Sequence, residues 1–100
     1  MDRTLPEDAA FDWDEHNIAH IAQHNVTPEE AEAVFYQDEH IISADEEHSR
    51  QEIRFSMLGE TKTGRKLNII FTFRGRNQEK IRVISARDQS RKERQEYEKA

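Results

Sequence analysis

The 100-residue chain has no cysteine, which excludes disulfides and thiolate chemistry outright. It has only two prolines and three glycines, so residues that punctuate the chain are few. No apolar run approaches the roughly 20 residues of a membrane span. The stretch from Met1 to Asp8 is acidic and has no apolar h-region, so no signal peptide, no membrane contact and a cytoplasmic location are expected. Apolar residues make up 34% of the chain and charged residues 36%. A composition that polar folds only if its apolar residues are placed periodically. With no cross-link, so small a core gains from a partner that binds the folded state.

Periodic placement is what the chain does have. Residues 1–10 show none and read as a flexible tail, whereas residues 11–100 read as a single domain. Phe11 to Trp13 is a short strand candidate, and Asp14 is placed to cap a helix running to His24, with Ile18, Ile21 and Ala22 as its apolar stripe. Asn25 suits a left-handed helix terminus. Thr27, Pro28 and Glu30 then read as the cap, first position and capping-box partner of a second helix, whose apolar members are Ala31, Val34 and Phe35.

Four strand candidates follow: His40 to Ala44, Glu52 to Leu58, Lys66 to Arg74 and Lys80 to Ala86. Gly59 and Gly64 bracket one connection and Gly75 to Gln78 forms the next, and connections this short favour an antiparallel meander. In the third strand Leu67, Ile69, Phe71 and Phe73 share one face; Asn68, Ile70, Thr72 and Arg74 share the other. Asp88 to Lys99 reads as a final helix, with Ser90 and Glu93 fitting a capping box. The expected fold is α+β: two N-terminal helices, a four-stranded antiparallel sheet with room for a short extra edge strand, and a C-terminal helix.

The net charge of -6 is divided unevenly. Residues 1–50 carry fourteen Asp and Glu against Arg3 and Arg50, a balance of -12, whereas residues 51–100 carry thirteen Lys and Arg against seven acids, a balance of +6. An acidic chain has weak general attraction for a polyanion, yet a face built from the second half could bind one locally.

The ordered set of residues also resembles a known family. Phe11, Trp13 and Asp14, then His24 ahead of Val26-Thr27-Pro28-Glu29-Glu30, are similar to the opening of BrnT-type toxins. Arg54, Gly59, Gly64, Arg65, Leu67, Thr72 and Arg74 fall at that family's spacing. The ending, Ile81 to Arg87 followed by Glu93, Arg94 and Tyr97, is the most specific part. The chain reads Gln23-His24-Asn25 where the family commonly has Lys-His-Gly, and Gln89 where a small apolar residue is usual. The resemblance implies a RelE-like fold and a metal-independent endoribonuclease that arrests translation, without a cofactor. It implies a ribbon-helix-helix antitoxin of the BrnA type as partner, with operator DNA bound only through the toxin–antitoxin complex. The departures imply an alternative, a catalytically weak module that binds the antitoxin and acts in autoregulation.

Metal-free RNA cleavage needs proton transfer at the 2′-hydroxyl and leaving group, together with fixed cations facing the phosphorane. Arginine suits the second task, because its planar fork grips phosphate bidentately and keeps its charge. The candidate cations are Arg87 and Arg94 for catalysis and Arg74, Arg82 and Arg91 for RNA binding. By simple alternation Arg82 faces away from Ile81, Val83 and Ser85, and Arg87 shares the parity of Ser85 at the strand end. Glu93, Tyr97 and His24 are the candidate proton-transfer groups, and Tyr97 would equally serve to anchor its helix. His16, His20 and His24 form an outward row, but zinc needs further ligands and an ordered second shell, so no metal is expected. Asp45, Glu46 and Glu47 read as a solvated turn.

Overall fold

The structure, a computed structural model, describes residues 10–45 and 52–99. Along the chain run β1 (Ala10–Phe11), α1 (Glu15–Ala22), α2 (Pro28–Tyr36), β2 (Ile41–Ala44), β3 (Phe55–Glu60), β4 (Lys66–Arg74), β5 (Lys80–Asp88) and α3 (Arg91–Lys99). Of the expected tail only Ala10 is described, and it is strand; Glu46 and Glu47 of the acidic turn lie outside the described residues.

Each helix start follows from a capping box. The Asp14 carboxylate accepts from the amides of His16 and Asn17, and the Asn17 side chain accepts from the Asp14 amide. Thr27 and Glu30 make the same reciprocal pair with Pro28 at the first helical position. Ser90 and Glu93 do so for α3, with 2.8 and 3.2 Å bonds. At the far end of α1, Asn25 takes φ 58°. Its amide bonds Ala22 O while the Val26 amide bonds Ile21 O, closing the helix in a Schellman pattern.

The strand order is β1-β5-β4-β3-β2. Strands β2 to β5 form the expected antiparallel meander. The extra edge strand exists, but it pairs parallel to β5, Ala10 opposite Lys80 and Phe11 opposite Ile81, so the sheet is five-stranded and mixed. The physical reason is topological: the α1–α2 segment carries the chain from one sheet edge to the other, and the direction of β1 depends on which edge it started from.

One sheet face is the core. Met57, Leu67, Ile69, Phe71, Ile81, Val83 and Ala86 meet Ile21, Val26, Ala31, Val34 and Phe35 from the α1–α2 side. Phe35 packs edge-on against Phe71 at 5.0 Å. The buried face of α1 differs from the expected stripe: Asn17 and Ile21 are buried, whereas Ile18 is 40% exposed and Ala22 is exposed. Asn17 is buried because its amide donates to the carbonyls of Asp12 and Val83, 3.0 Å each, tying α1 to β5.

Several boundaries also moved: α1 ends at Ala22 rather than His24, and β3 runs Phe55–Glu60 rather than from Glu52 to Leu58. Gly59 lies inside β3 rather than at a turn, because a Cβ there would stand 2.6 Å from Val34 Cγ1; glycine lets α2 approach the strand. Asp88 belongs to β5 rather than to α3, and the Gln89 amide still bonds Lys66 O, so the helix begins only at Arg91.

Candidate active site

The geometry of the C-terminal half turns on one residue. In β5, Ser85 pairs with Ile70 and Val83 with Phe71, leaving Ile84 as the extra residue of a β-bulge. A bulge reverses the alternation beyond it. Ser85 and Arg87 therefore stand opposite Ile70 and Asn68, on the same face as Arg82, which pairs with Thr72. The expectation that Arg82 and Ser85 face opposite ways is corrected: period two holds within each half of the strand but not across Ile84.

Helix α3 lies against this second face, where Asn68, opposite Arg87 in the sheet, donates to Glu93 Oε2 at 2.6 Å. Arg87 meets Glu93 in a two-pronged pair, Nη1 to Oε1 at 2.8 Å and Nη2 to Oε2 at 3.0 Å. The Glu93 side chain is 22% exposed and that of Arg87 is 43% exposed, so the fork is held yet open to solvent. The Arg87 guanidinium, helped by the Ser90 amide and Asn68, pulls the Glu93 carboxyl down to about 2. The same pair raises Arg87 above its ordinary value. A carboxylate this acidic is a poor base near neutral pH and a good anchor for an arginine.

Arg91 and Arg94 lie on another side of α3. With Gly64, Lys66, Asp88, Gln89, Gln95 and Glu98 they line an open groove of ≈ 680 Å³. Both are exposed, and among the described residues neither has a carboxylate within ion-pair distance. His24 is exposed at the end of α1. Beside it, Asp88 is held below its usual range, mainly by Arg65, with a smaller contribution from His24. The candidate residues thus flank the first turn of α3 from two sides: Arg87 with Glu93 on the sheet face, Arg91 and Arg94 in the groove.

Three other candidates are engaged elsewhere. The Tyr97 hydroxyl lies 3.0 Å from both Glu60 Oε1 and Glu39 O, and partial burial with the neighbouring carboxylate pushes it up to about 12. Its hydroxyl is therefore a tether between α3 and the β2–β3 edge. Arg82, whose side chain is only 15% exposed, pairs with Asp14 at 3.0 Å and Asp12 at 3.6 Å. Arg74 pairs with Glu52 at 3.1 Å.

Arg65 was noted in the sequence only for its match to the family's spacing and was given no role. Its guanidinium binds Asp88 at 2.8 Å, Glu30 at 3.3 Å and the carbonyls of His24 and Asn25 at 3.1 and 2.7 Å. It satisfies orphan carbonyls at the end of α1 and fastens the α1–α2 turn to β5. The sequence signals were its match to the family's spacing and its place after Gly64, whose φ of +88° makes the turn that presents it. Gln89, 6% exposed, donates from Nε2 to Gly59 O and Leu67 O, which explains a polar residue at that position.

Residues 13–93 match the model of BrnT, the ribonuclease toxin of type II toxin–antitoxin systems. The chain belongs to this family. Its members are ribonuclease toxins, which implies an RNA target and a protein antitoxin. The matched segment holds His24, Arg74, Arg82, Arg87, Arg91 and Glu93; Arg94 and Tyr97 lie just beyond it. No curated protein matches the chain. No helix among the described residues is long and apolar enough to cross a membrane.

Proposed function

We propose that this family member is a metal-independent endoribonuclease that arrests translation, with Arg87 as its principal phosphate-binding cation. The carrying observation is the Arg87–Glu93 pair: a permanently charged fork, oriented by two bonds, with much of its side chain facing solvent. Arg94 and Arg91 extend the grip along the groove. Glu93 orients Arg87, Tyr97 pins the helix that carries Glu93, and His24, exposed at the neighbouring rim, is the proton-transfer group. Arg74 and Arg82 contribute positive potential at the edge of this face while serving their carboxylates. A ribbon-helix-helix antitoxin neutralises the toxin in the cytoplasm, and the complex binds operator DNA.

A second reading has its own support. Arg74, Arg82 and Arg87 each carry a carboxylate partner, and the chain's net charge is -6, which together weaken attraction for RNA. On that reading the chain is an antitoxin-binding module with little cleavage. Expression without antitoxin, followed by mapping of RNA ends, separates the two. Wild type should arrest growth and cut RNA, insensitively to EDTA in the purified reaction, and Arg87→Ala should do neither while still folding and binding antitoxin. Uncut RNA with folded wild type supports the module; a fully toxic Arg87→Ala removes Arg87 from the site.

A further inference from the structure

Asn68 sits in the middle of a largely apolar strand, is 6% exposed, and uses both ends of its amide. Its Oδ1 accepts from Ser56 Oγ on β3 at 3.2 Å, and its Nδ2 donates to Glu93 Oε2 on α3 at 2.6 Å. Glu93 in turn holds both terminal nitrogens of Arg87 on β5. The four side chains form one relay, Ser56–Asn68–Glu93–Arg87, which crosses three strands and the helix above them.

The relay matters because of what else holds Glu93. No residue of α3 is fully buried. The helix is attached by the Tyr97 hydroxyl, the Lys66–Glu98 pair at 2.8 Å and the Glu93 contacts. Exposed pairs of this kind fix a helix loosely, so the α3 backbone alone sets Glu93 less firmly than a core residue would be set. The Asn68 amide reaches Glu93 from the sheet, whose other face packs into the core. Burying an amide is costly unless it is bonded. An apolar side chain between Leu58 and Arg87 would fill the space but would leave Ser56 Oγ and Glu93 Oε2 without this partner.

We propose that Asn68 is a positioning residue of the ribonuclease site, fixing the Glu93 carboxylate so that the Arg87 fork points at the scissile phosphate. This rests on Arg87 being the phosphate-binding cation. Asn68 touches no substrate; it acts through Glu93. Its removal leaves Arg87 in place but misdirected, and misplacement by about 1 Å costs up to roughly 100-fold. The loss should fall on kcat rather than KM, because the fork is needed most where phosphorane charge develops.

The test uses the purified full chain, a labelled RNA oligonucleotide and an NMR titration of the Glu93 carboxyl. In Asn68→Leu, kcat should fall about tenfold or more with KM within about twofold, and Glu93 should titrate at a higher pH than in wild type. Asn68→Asp should give a new pH profile. At low pH a protonated Asp donates to Glu93 as the amide did, and activity persists; as pH rises the two carboxylates repel and activity is lost. Ser56→Ala should shift both readouts the same way, by less.

A folded Asn68→Leu with unchanged kcat and an unchanged Glu93 titration overturns the proposal. So does Asn68→Asp with the wild-type pH profile. If Asn68→Leu does not fold, Asn68→Asp and Ser56→Ala decide by the same criteria. If Arg87→Ala retains full kcat while Asn68→Leu loses it, the route through Arg87 is wrong. If wild type cuts no RNA, the ribonuclease reading fails and the positioning role falls with it, while the Glu93 titration still tells whether the relay exists.

Discussion

At the residue scale, single side chains decide whether this sheet has a functional face at all. Phe71 is completely buried and touches Phe35, Phe55 and Phe73 at centroid distances of 5.0 to 5.8 Å. Phe71→Ala should destabilise the fold by ~3–5 kcal/mol, read as a lower denaturant midpoint at unchanged slope. Glu93 acts on the other face and through pH. Its carboxyl ordinarily titrates at 4.5 and is held at about 2 in the fold by Arg87. A depressed carboxyl stabilises fully above its unfolded value and loses that contribution as pH falls through its folded one. Wild type should therefore lose stability between pH 4.5 and about 2 more steeply than Glu93→Gln. Parallel acid profiles for the two proteins would show that the pair contributes nothing in solution.

At the element scale, α3 is the segment most easily detached. It buries no residue fully, and its attachment is polar. Amides of α3 should exchange with solvent faster than those of β4 and β5, by local opening that leaves the sheet intact. Tyr97→Phe removes the hydroxyl held between Glu60 and the Glu39 carbonyl and should speed α3 exchange further without moving the exchange of β4. The phenol is raised from its ordinary 10 to about 12. The stability it gives is complete below pH 10 and disappears as pH rises through 12, so α3 should loosen in that window and Tyr97→Phe should not respond. The α1–α2 turn depends in the same way on Arg65. Arg65→Met leaves two helix-end carbonyls and two carboxylates without their partner, and should cost about 2 kcal/mol. A loss near zero would mean that water replaces the guanidinium freely.

At the scale of the whole molecule, the acidic first half and basic second half are partly neutralised against each other. Arg82 reaches back to Asp12 and Asp14, and Arg65 to Glu30. At the proposed site the open cations are Arg87, in part, and Arg91 and Arg94 of the groove. RNA affinity should accordingly be modest and salt-dependent, with a slope reflecting about three cations. Arg87→Ala should flatten that slope by about one cation's share. An antitoxin binding only the folded chain should raise its stability by about 2.7 kcal/mol when free partner stands at a hundred times Kd. Tight operator binding by this chain alone would contradict the division of labour proposed for the complex.

The features legible in the sequence were those governed by neighbours along the chain. The cap at Asp14, the capping boxes at Thr27 and Ser90, the left-handed Asn25 and the two faces of β4 all follow from local spacing, because caps and alternation act over two to four residues. Candidate cations could be enumerated for the same reason, since residue type alone says which side chains grip phosphate. Their arrangement was decided by contacts distant in sequence. The bulge at Ile84 put Arg87 on the face of Arg82, and its cause is the register against β4, which no count along β5 reveals. Asn17 replaced Ile18 on the buried side of α1 because a carbonyl of β5, 66 residues away, needed a donor. The parallel sense of β1 came from the path of two helices across the sheet. Asn68 looked like any polar residue on a strand's outer face until α3 folded over it and brought Glu93 within reach. Local rules fix what each segment becomes; which charges meet depends on how the segments close on one another.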